Sequence, residues 1–286
     1  ISPWRPKLKI AFFLRANSNL YRTLGGRRIA FRYFDLLRPL ADLCGELQDD
    51  QPDLLIAPAT VLAELARHPS LQLRPRQIVS VAEVLDPHDS ANIEAKFGVR
   101  PGNVYQATEG VLASTGAEGN LHLNEEFLHI ECEWIDEERT RFHPIVTDFT
   151  RETQWIVRHR LDDILKASPL VCPCGRAARV IAAIEGRSDE VLWFGGPLFP
   201  DVLRQAFYAL PDPPALYRIE QHGREIRIML GESTPLLESQ VASALMQLFQ
   251  SQQLTAPEII FIPWQPQPPA EKQRRIRCVN PLPNPA

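Results

Sequence analysis

Two nearby stretches decide the fold class: Asp53-Leu-Leu-Ile-Ala-Pro-Ala-Thr-Val-Leu-Ala-Glu-Leu-Ala-Arg-His68 and Gln77-Ile-Val-Ser-Val-Ala-Glu-Val84. Asp53 to Ile56 reads as a strand, its Leu54-Leu55-Ile56 apolar without alternation, as in a strand buried on both faces. Pro58 suits the first turn of a helix, where its missing N–H costs nothing. That helix is expected to run to about His68. Gln77 to Val84 then reads as a second strand. Strand, helix, strand is the repeating unit of a parallel sheet. The same texture extends both ways. Lys9 to Leu14 is another buried strand. Leu36, Leu37, Leu40, Leu43 and Leu47 recur at helical spacing within Asp35 to Leu47. Asp86 to Phe97 reads as a helix with Pro87 near its start, and Val104-Tyr105 end a further strand.

Beyond Gly110 the texture changes. Leu121 to Trp134 and Arg141 to Arg160 alternate and are rich in β-branched residues, the signature of antiparallel hairpins. Cys172-Pro-Cys-Gly is a turn. After Glu190 the expected order is strand (Val191–Phe194), helix (Pro200–Leu210), strand (Ala215–Gln221), strand (Arg224–Leu230), helix (Leu236–Gln252) and strand (Glu258–Ile262). The expectation is therefore an α/β protein. A large N-terminal α/β domain with an antiparallel part spans residues 1–187. A small C-terminal α+β domain spans 188–286. The chain opens at Ile1 without an initiator Met, so the large domain is expected to be N-terminally incomplete.

Composition narrows the function classes. With 286 residues, 44% hydrophobic and 23% charged, the chain is of globular type. No apolar run approaches the ~18 residues that span a bilayer, so no membrane partner is expected. A net charge of −4 offers no field for nucleic acid. Five irregularly spaced cysteines do not form a disulfide framework. With no signal-like opening, this reads as a cytoplasmic protein with reduced thiols.

Five short patterns carry the chemistry. They are Tyr105-Gln-Ala-Thr-Glu-Gly110, Arg158-His159-Arg160-Leu161-Asp162-Asp163, Cys172-Pro-Cys-Gly-Arg176, Glu185-Gly-Arg-Ser-Asp189, and Lys272 within the basic run Lys272 to Arg277. Each has a plain alternative. The first is a solvated turn. Asp162 and Asp163 cap a helix beginning at Ile164. Arg187 and Asp189 form a surface ion pair. Lys272 belongs to a solvated tail.

In this order and at this spacing, the five patterns resemble the adenylate-forming superfamily, in its phenylacetate–CoA ligase and coenzyme F390 synthetase-like branch. A fainter likeness extends to adenylating proteins of phenazine antibiotic biosynthesis. The resemblance implies activation of a carboxylic acid by ATP, with transfer of the acyl group to a thiol such as coenzyme A. An aromatic acid is the default substrate. The resemblance also implies roles. Tyr105 would stack on adenine, and the Ala82-Glu83 backbone would meet the adenine edge. Thr108 would hydrogen-bond the α-phosphate, and Glu109 would help hold Mg²⁺. Asp163, with Asp162 as its neighbour and rival, would accept from the ribose hydroxyls. Arg187 would lie near ribose or phosphates, and Asp189 would be the hinge of the small domain. Lys272 would stabilise charge developing at the carboxylate and α-phosphate.

Two departures stand beside the resemblance. No Ser/Thr/Gly-rich phosphate loop occurs in residues 1–80: Gly25-Gly26-Arg27-Arg28 is short and lacks hydroxyls, and Ser114 to Gly119 lies downstream as a turn. A degenerate, non-catalytic nucleotide-binding homologue is therefore the alternative. Some relatives hold a structural zinc through the Cys-x-Cys turn plus a Cys and a His after the Thr-Glu loop. Here Ser114 to Asn120 has neither, and His122 and Cys132 fall out of pattern, so Cys172 and Cys174 read as two free thiols and zinc is disfavoured.

Overall fold

The computed structural model describes residues 7–14, 26–267 and 274–280. They pack as two compact units. The first is drawn from residues up to Glu131 with Ile145–His159 and Ala167–Ala182. The second is drawn from Cys132–Pro144, Arg160–Lys166 and the chain from Ala183 onward.

The first unit opens with β1 (Leu8–Leu14), β2 (Ile29–Asp35), α1 (Leu40–Asp50), β3 (Leu54–Pro58), α2 (Ala59–Arg67), β4 (Gln77–Val81), α3 (Pro87–Phe97) and β5 (Gly102–Ala107). All five strands run parallel, in the order β5–β4–β3–β1–β2. The apolar runs read from the sequence are the central strands, because only a strand covered on both faces can be apolar throughout. Phe13, Phe34, Leu55 and Ile78 meet Leu43, Leu47, Leu62 and Ile93 of the helices in one buried core. The chain then turns antiparallel through β6 (Gly110–Thr115), β7 (Leu121–Leu123), β8 (Leu128–Trp134), β9 (Arg141–Asp148) and β10 (Ile156–Arg160). β11 (Asp163–Ala167) and β12 (Val180–Arg187) follow, and β12 pairs back on β7 through Val180 and His122.

The second unit carries β13 (Leu192–Trp193), β14 (Pro197–Leu198), α4 (Pro200–Tyr208), β15 (Tyr217–His222), β16 (Glu225–Leu230), α5 (Pro235–Ser251), β17 (Glu258–Phe261) and β18 (Ile276–Asn280). Its four-stranded sheet has the order β17–β16–β15–β18. Thr234 caps α5 by accepting from the Leu237 N–H at 3.2 Å, and Pro235 follows at the first helical position. Phe194, Phe207, Ile219, Ile228, Leu245 and Phe249 form the core.

Four expectations are corrected. β2 has no counterpart in the sequence reading, because Arg32 interrupts its apolar pattern and it lies at the edge of the parallel strands. α1 starts at Leu40, not Asp35: Asp35 ends β2, and Pro39 takes the cap position. No helix begins at Ile164, which lies inside β11, so Asp162 and Asp163 cap nothing. The basic run is not wholly a solvated tail, because Ile276 to Asn280 pair in parallel with β15.

Phe13 is fully buried and stacks on Phe34 with centroids 4.5 Å apart. Phe13→Ala is expected to lose about 3–5 kcal/mol in urea unfolding. Val111→Ala, at an exposed strand position, is expected to stay within about 0.5 kcal/mol.

Candidate functional site

In the first unit, β4 stops at Val81 because Ala82 takes φ +65°, a left-handed value that an alanine adopts only under constraint. Glu83 then turns back. Its N–H donates to the Val81 carbonyl at 2.8 Å, and its Oε2 accepts from the Thr60 N–H at 3.0 Å and the Thr60 hydroxyl at 2.6 Å. The backbone at Ala82-Glu83 is thereby pinned just past the C-terminal end of a parallel strand, where α/β sheets place ligands. Tyr105 lies on β5 and is 7% exposed, so most of its ring is inside.

β5 and β6 pair down to Ala107 opposite Gly110, leaving Thr108 and Glu109 as a two-residue hairpin turn. Neither takes a positive φ. The Arg151 Nη2 donates to the Thr108 carbonyl at 2.6 Å, and its Nε donates to Asp148 Oδ2 at 3.2 Å. Asp148 also accepts from the Thr150 N–H and hydroxyl, both at 2.7 Å. The Thr150 bonds, with the Arg151 charge, hold the Asp148 carboxyl below the usual range. Glu109 Oε1 lies 3.1 Å from His159 Nε2.

In the second unit, the Asp163 carbonyl accepts from His143 Nδ1 at 3.0 Å. The Asp162 carboxylate pairs with Arg160 at 3.1 Å and Arg187 at 3.5 Å, while its carbonyl accepts from the Ser188 N–H and hydroxyl. Arg187 Nε lies 3.4 Å from Asp189, whose other oxygen takes a 2.6 Å bond from Arg274. Burial raises the Asp189 carboxyl, but Arg274 and then Arg187 outweigh it and hold the group below the usual range. Asp162, Arg187, Asp189 and Arg274 thus form one chain of ion pairs. Arg274 was missed because nothing in a basic run names its acidic partner. Lys272 lies outside the described residues.

Glu185 is fully buried beside this chain. Arg141 Nε donates to Glu185 Oε2 at 2.8 Å, Arg141 Nη2 lies 3.8 Å from Asp201, and the guanidinium stacks 4.4 Å over Phe199. Glu185 Oε1 and Asp201 Oδ1 are buried with no hydrogen-bond partner among the described residues. Two acids share one guanidinium. Burial raises the Glu185 carboxyl, and Asp201 adds to this against the pull of Arg141. Gly186 takes φ +133°, and a Cβ there would strike the Glu190 carboxylate that accepts from the Arg187 N–H.

The third constellation lies in the first unit. The ligand atoms of His122, Cys172 and Cys174 all lie within 4.8 Å of one another. His122 Nδ1 donates to the Ala178 carbonyl at 3.3 Å, which leaves Nε2 with its lone pair, 3.6 Å from Cys174 Sγ. The Asn120 amide donates to Cys172 Sγ at 3.3 Å. The Cys174 N–H first, then the Asn120 amide, lower the Cys172 thiol to about 7. Thiolate character and a preset tautomer are what a soft metal needs. A Cβ at Gly116 would press on the His122 ring at 3.3 Å. The spacing that put His122 out of pattern is closed in space by the β7–β12 pairing.

No protein-family model and no curated protein matches the chain. Solved structures do. The 2-hydroxyisobutyryl-CoA ligase in its postadenylation state, in complex with an acyl-AMP, is similar with TM-score 0.73 and 17% identity, over 96% of this chain and 66% of that one. The anthranilate CoA ligase AuaEII with anthranoyl-AMP gives 0.67 and 14%, over 93% and 58%. A benzoate CoA ligase from Burkholderia xenovorans gives 0.61 and 15%, over 87% and 55%. The chain therefore has the fold of these ligases and spans two thirds of their length or less. No helix among the described residues is long and apolar enough to cross a membrane.

The buried Glu185 gives a prediction with a definite sign. Its folded-state pKa lies above that of the unfolded chain, near 4.3. Between the two values the folded protein keeps a proton that the unfolded chain has lost. Stability is therefore expected to fall as pH rises from about 4.3 through the raised value. Urea midpoints measured across pH should show this fall, and Glu185→Gln should flatten it.

Proposed function

We propose that the chain is part of an ATP-dependent ligase that activates a carboxylic acid, most simply an aromatic one, as its acyl-adenylate. The observation that carries this reading is the position of the Thr108–Glu109 turn. It closes the β5–β6 hairpin past the C-terminal end of β5, which pairs in parallel with β4, the strand that ends at the pinned Ala82-Glu83 backbone, on a fold shared with acyl-CoA ligases. Two of the three similar structures are named for aromatic acids, anthranilate and benzoate. The five sequence patterns support the phenylacetate–CoA ligase-like branch within that class.

The chemistry runs in two steps. A carboxylate oxygen of the acid bonds to the α-phosphorus of ATP while the bond to pyrophosphate breaks. A thiol, coenzyme A in the simplest case, then attacks the acyl carbon and AMP leaves. In this reading the Ala82-Glu83 backbone and Tyr105 hold adenine, Asp163 accepts from the ribose hydroxyls, and Arg187 faces ribose or phosphate. The Thr108 hydroxyl donates to the α-phosphate. Glu109 has one carboxylate oxygen outside its His159 contact and suits Mg²⁺, a hard cation that takes oxygen ligands. When bound, Mg²⁺ offsets the charge of the triphosphate. Lys272 stabilises the charge that develops during transfer. Asp189 is the hinge between domains 1–187 and 188–286. Cys172, Cys174 and His122 supply three of the four ligands that a structural zinc site takes. Tetrahedral geometry at ~2.3 Å from the metal puts two sulfurs ~3.8 Å apart, so the cluster needs only a small contraction.

Pyrophosphate exchange with a panel of aromatic acids tests the ligase reading. Exchange is expected with at least one acid, and Lys272→Ala should slow it ~10²–10³-fold. Binding of ATP with no exchange for any acid would overturn it. That outcome would favour the second reading, a non-catalytic nucleotide-binding homologue, which the lack of a hydroxyl- and glycine-rich loop in residues 1–80 supports. Metal analysis of the purified protein should find zinc near one equivalent, falling in Cys172→Ser and His122→Ala.

A further inference from the structure

We propose that Arg151 and His159 are positioning residues that hold the Thr108–Glu109 turn in a ligand-ready shape. The inference rests on the reading of that turn as the contact for a nucleoside triphosphate and its divalent cation.

The turn cannot shape itself. A two-residue hairpin loop is best made by types I′ or II′, whose twist matches the strands they join. Type I′ needs positive φ at both central residues, and type II′ needs it at the first. Neither Thr108 nor Glu109 adopts one. They also lack the Asn-Gly chemistry that such turns favour. The mismatch is visible next door, where the β5–β6 register shifts between Tyr105 and Gln106. Gly110, at φ +149°, absorbs the exit from the turn, packed against Leu128 and Asp148.

What holds the turn comes from the β9–β10 hairpin. Asp148 ends β9 and is 9% exposed. It gathers three donors: the Thr150 N–H, the Thr150 hydroxyl and Arg151 Nε. This sets the guanidinium so that Nη2 reaches the Thr108 carbonyl at 2.6 Å. A bond to that carbonyl fixes the plane of the Thr108–Glu109 peptide. It therefore limits where the Thr108 hydroxyl and the Glu109 carboxylate can point. His159, on β10, takes Glu109 Oε1 at 3.1 Å. Glu109 has no other ion pair or hydrogen bond among the described residues, so Oε2 stays available.

The division of labour is specific. Arg151 acts on backbone geometry, and so on the rate of transfer at Thr108. His159 acts on one carboxylate, and so on cation affinity. Active-site groups need support of this kind to stay within about 0.5 Å of productive geometry.

The test compares Arg151→Met, Arg151→Lys, His159→Phe and His159→Gln with Thr108→Val and Glu109→Gln in the full chain. Three quantities are read: kcat and KM for ATP in pyrophosphate exchange, Mn²⁺ affinity in the presence of ATP by electron paramagnetic resonance, and the melting temperature. Arg151→Met is expected to lower kcat ~10–100-fold with a much smaller change in KM, and Arg151→Lys to recover part of it. His159→Phe is expected to weaken Mn²⁺ binding ~5–10-fold, with His159→Gln, which keeps an N–H donor, near the parent; this range assumes loss of about one hydrogen bond. Melting temperatures should stay close to the parent. If Thr108→Val and Glu109→Gln impair exchange and Mn²⁺ binding while Arg151→Met and His159→Phe do not, the positioning role is overturned and the site reading stands. If Thr108→Val and Glu109→Gln are also silent, the site reading itself fails, and the positioning role with it.

Discussion

A turn of two residues that are poor turn formers sets the main constraint on the first unit. β5 is the last parallel strand, and β6 begins the antiparallel part. Only Thr108 and Glu109 connect them, so the change of sheet character happens within one hairpin. Such a reversal normally rests on glycine or asparagine in left-handed conformations. This chain has instead a hydroxyl and a carboxylate. Both are useful to a phosphate and a cation, and neither is useful to the turn. The stabilisation comes from elsewhere: Arg151 on the Thr108 carbonyl, anchored in turn by Asp148. Proteins that depart from local rules tend to do so at functional sites and to compensate nearby.

Charge is handled in the second unit by a related economy. Asp162, Arg187, Asp189 and Arg274 alternate in sign along one surface. Each such exposed pair contributes at most about 1 kcal/mol. Their value is geometric, since they tie a loop, a single 3₁₀ turn and the entry to β18 to one another. Glu185 and Asp201 differ from them. Glu185 is withdrawn from water, Asp201 is half-buried, and one guanidinium stacked over Phe199 serves both. A buried carboxylate that shares its cation with a second acid is a poor stability device, and burial raises its carboxyl. Glu185 lies one residue before Gly186, whose φ of +133° is one that L side chains rarely adopt. Rigid and strained features therefore meet at the segment read as a hinge.

Legibility in the sequence followed the strength of the period. β3 and β4 were readable because their apolar residues run on without interruption, and α3, α4 and α5 because a proline marks the first residue of each. β2 and β18 were not, since arginines in each mimic a loop or a tail. The Thr108–Glu109 turn, Asp163 and Arg187 were legible only through a resemblance of ordered patterns. Their partners were not legible at all. Arg151 lies 43 positions from Thr108, and Arg274 lies 85 positions from Asp189. No local pattern carries such pairings. His122 is the clearest instance: it stands 52 positions from Cys174 and looked out of register, yet the pairing of Val180 with His122 brings the Cys-x-Cys turn back to it.

That last closure bears on the turn with which the constraint began. β6 leaves Thr108–Glu109 and runs to Thr115, and β7 returns with His122 opposite Ser114. The cysteine–histidine cluster therefore sits at the far end of the same hairpin strand, about 13–17 Å away at ~3.3 Å per residue. One end of β6 is fixed by Arg151 and His159. The other is fixed by Cys172, Cys174 and His122, through hydrogen bonds and, in the proposed zinc site, through metal bonds. A strand pinned at both ends can neither slip in register nor twist freely. Register matters here, because a one-residue slip would exchange the faces of Thr108 and Glu109. A metal held by the cluster would then stabilise the position of the turn from the far end of the strand.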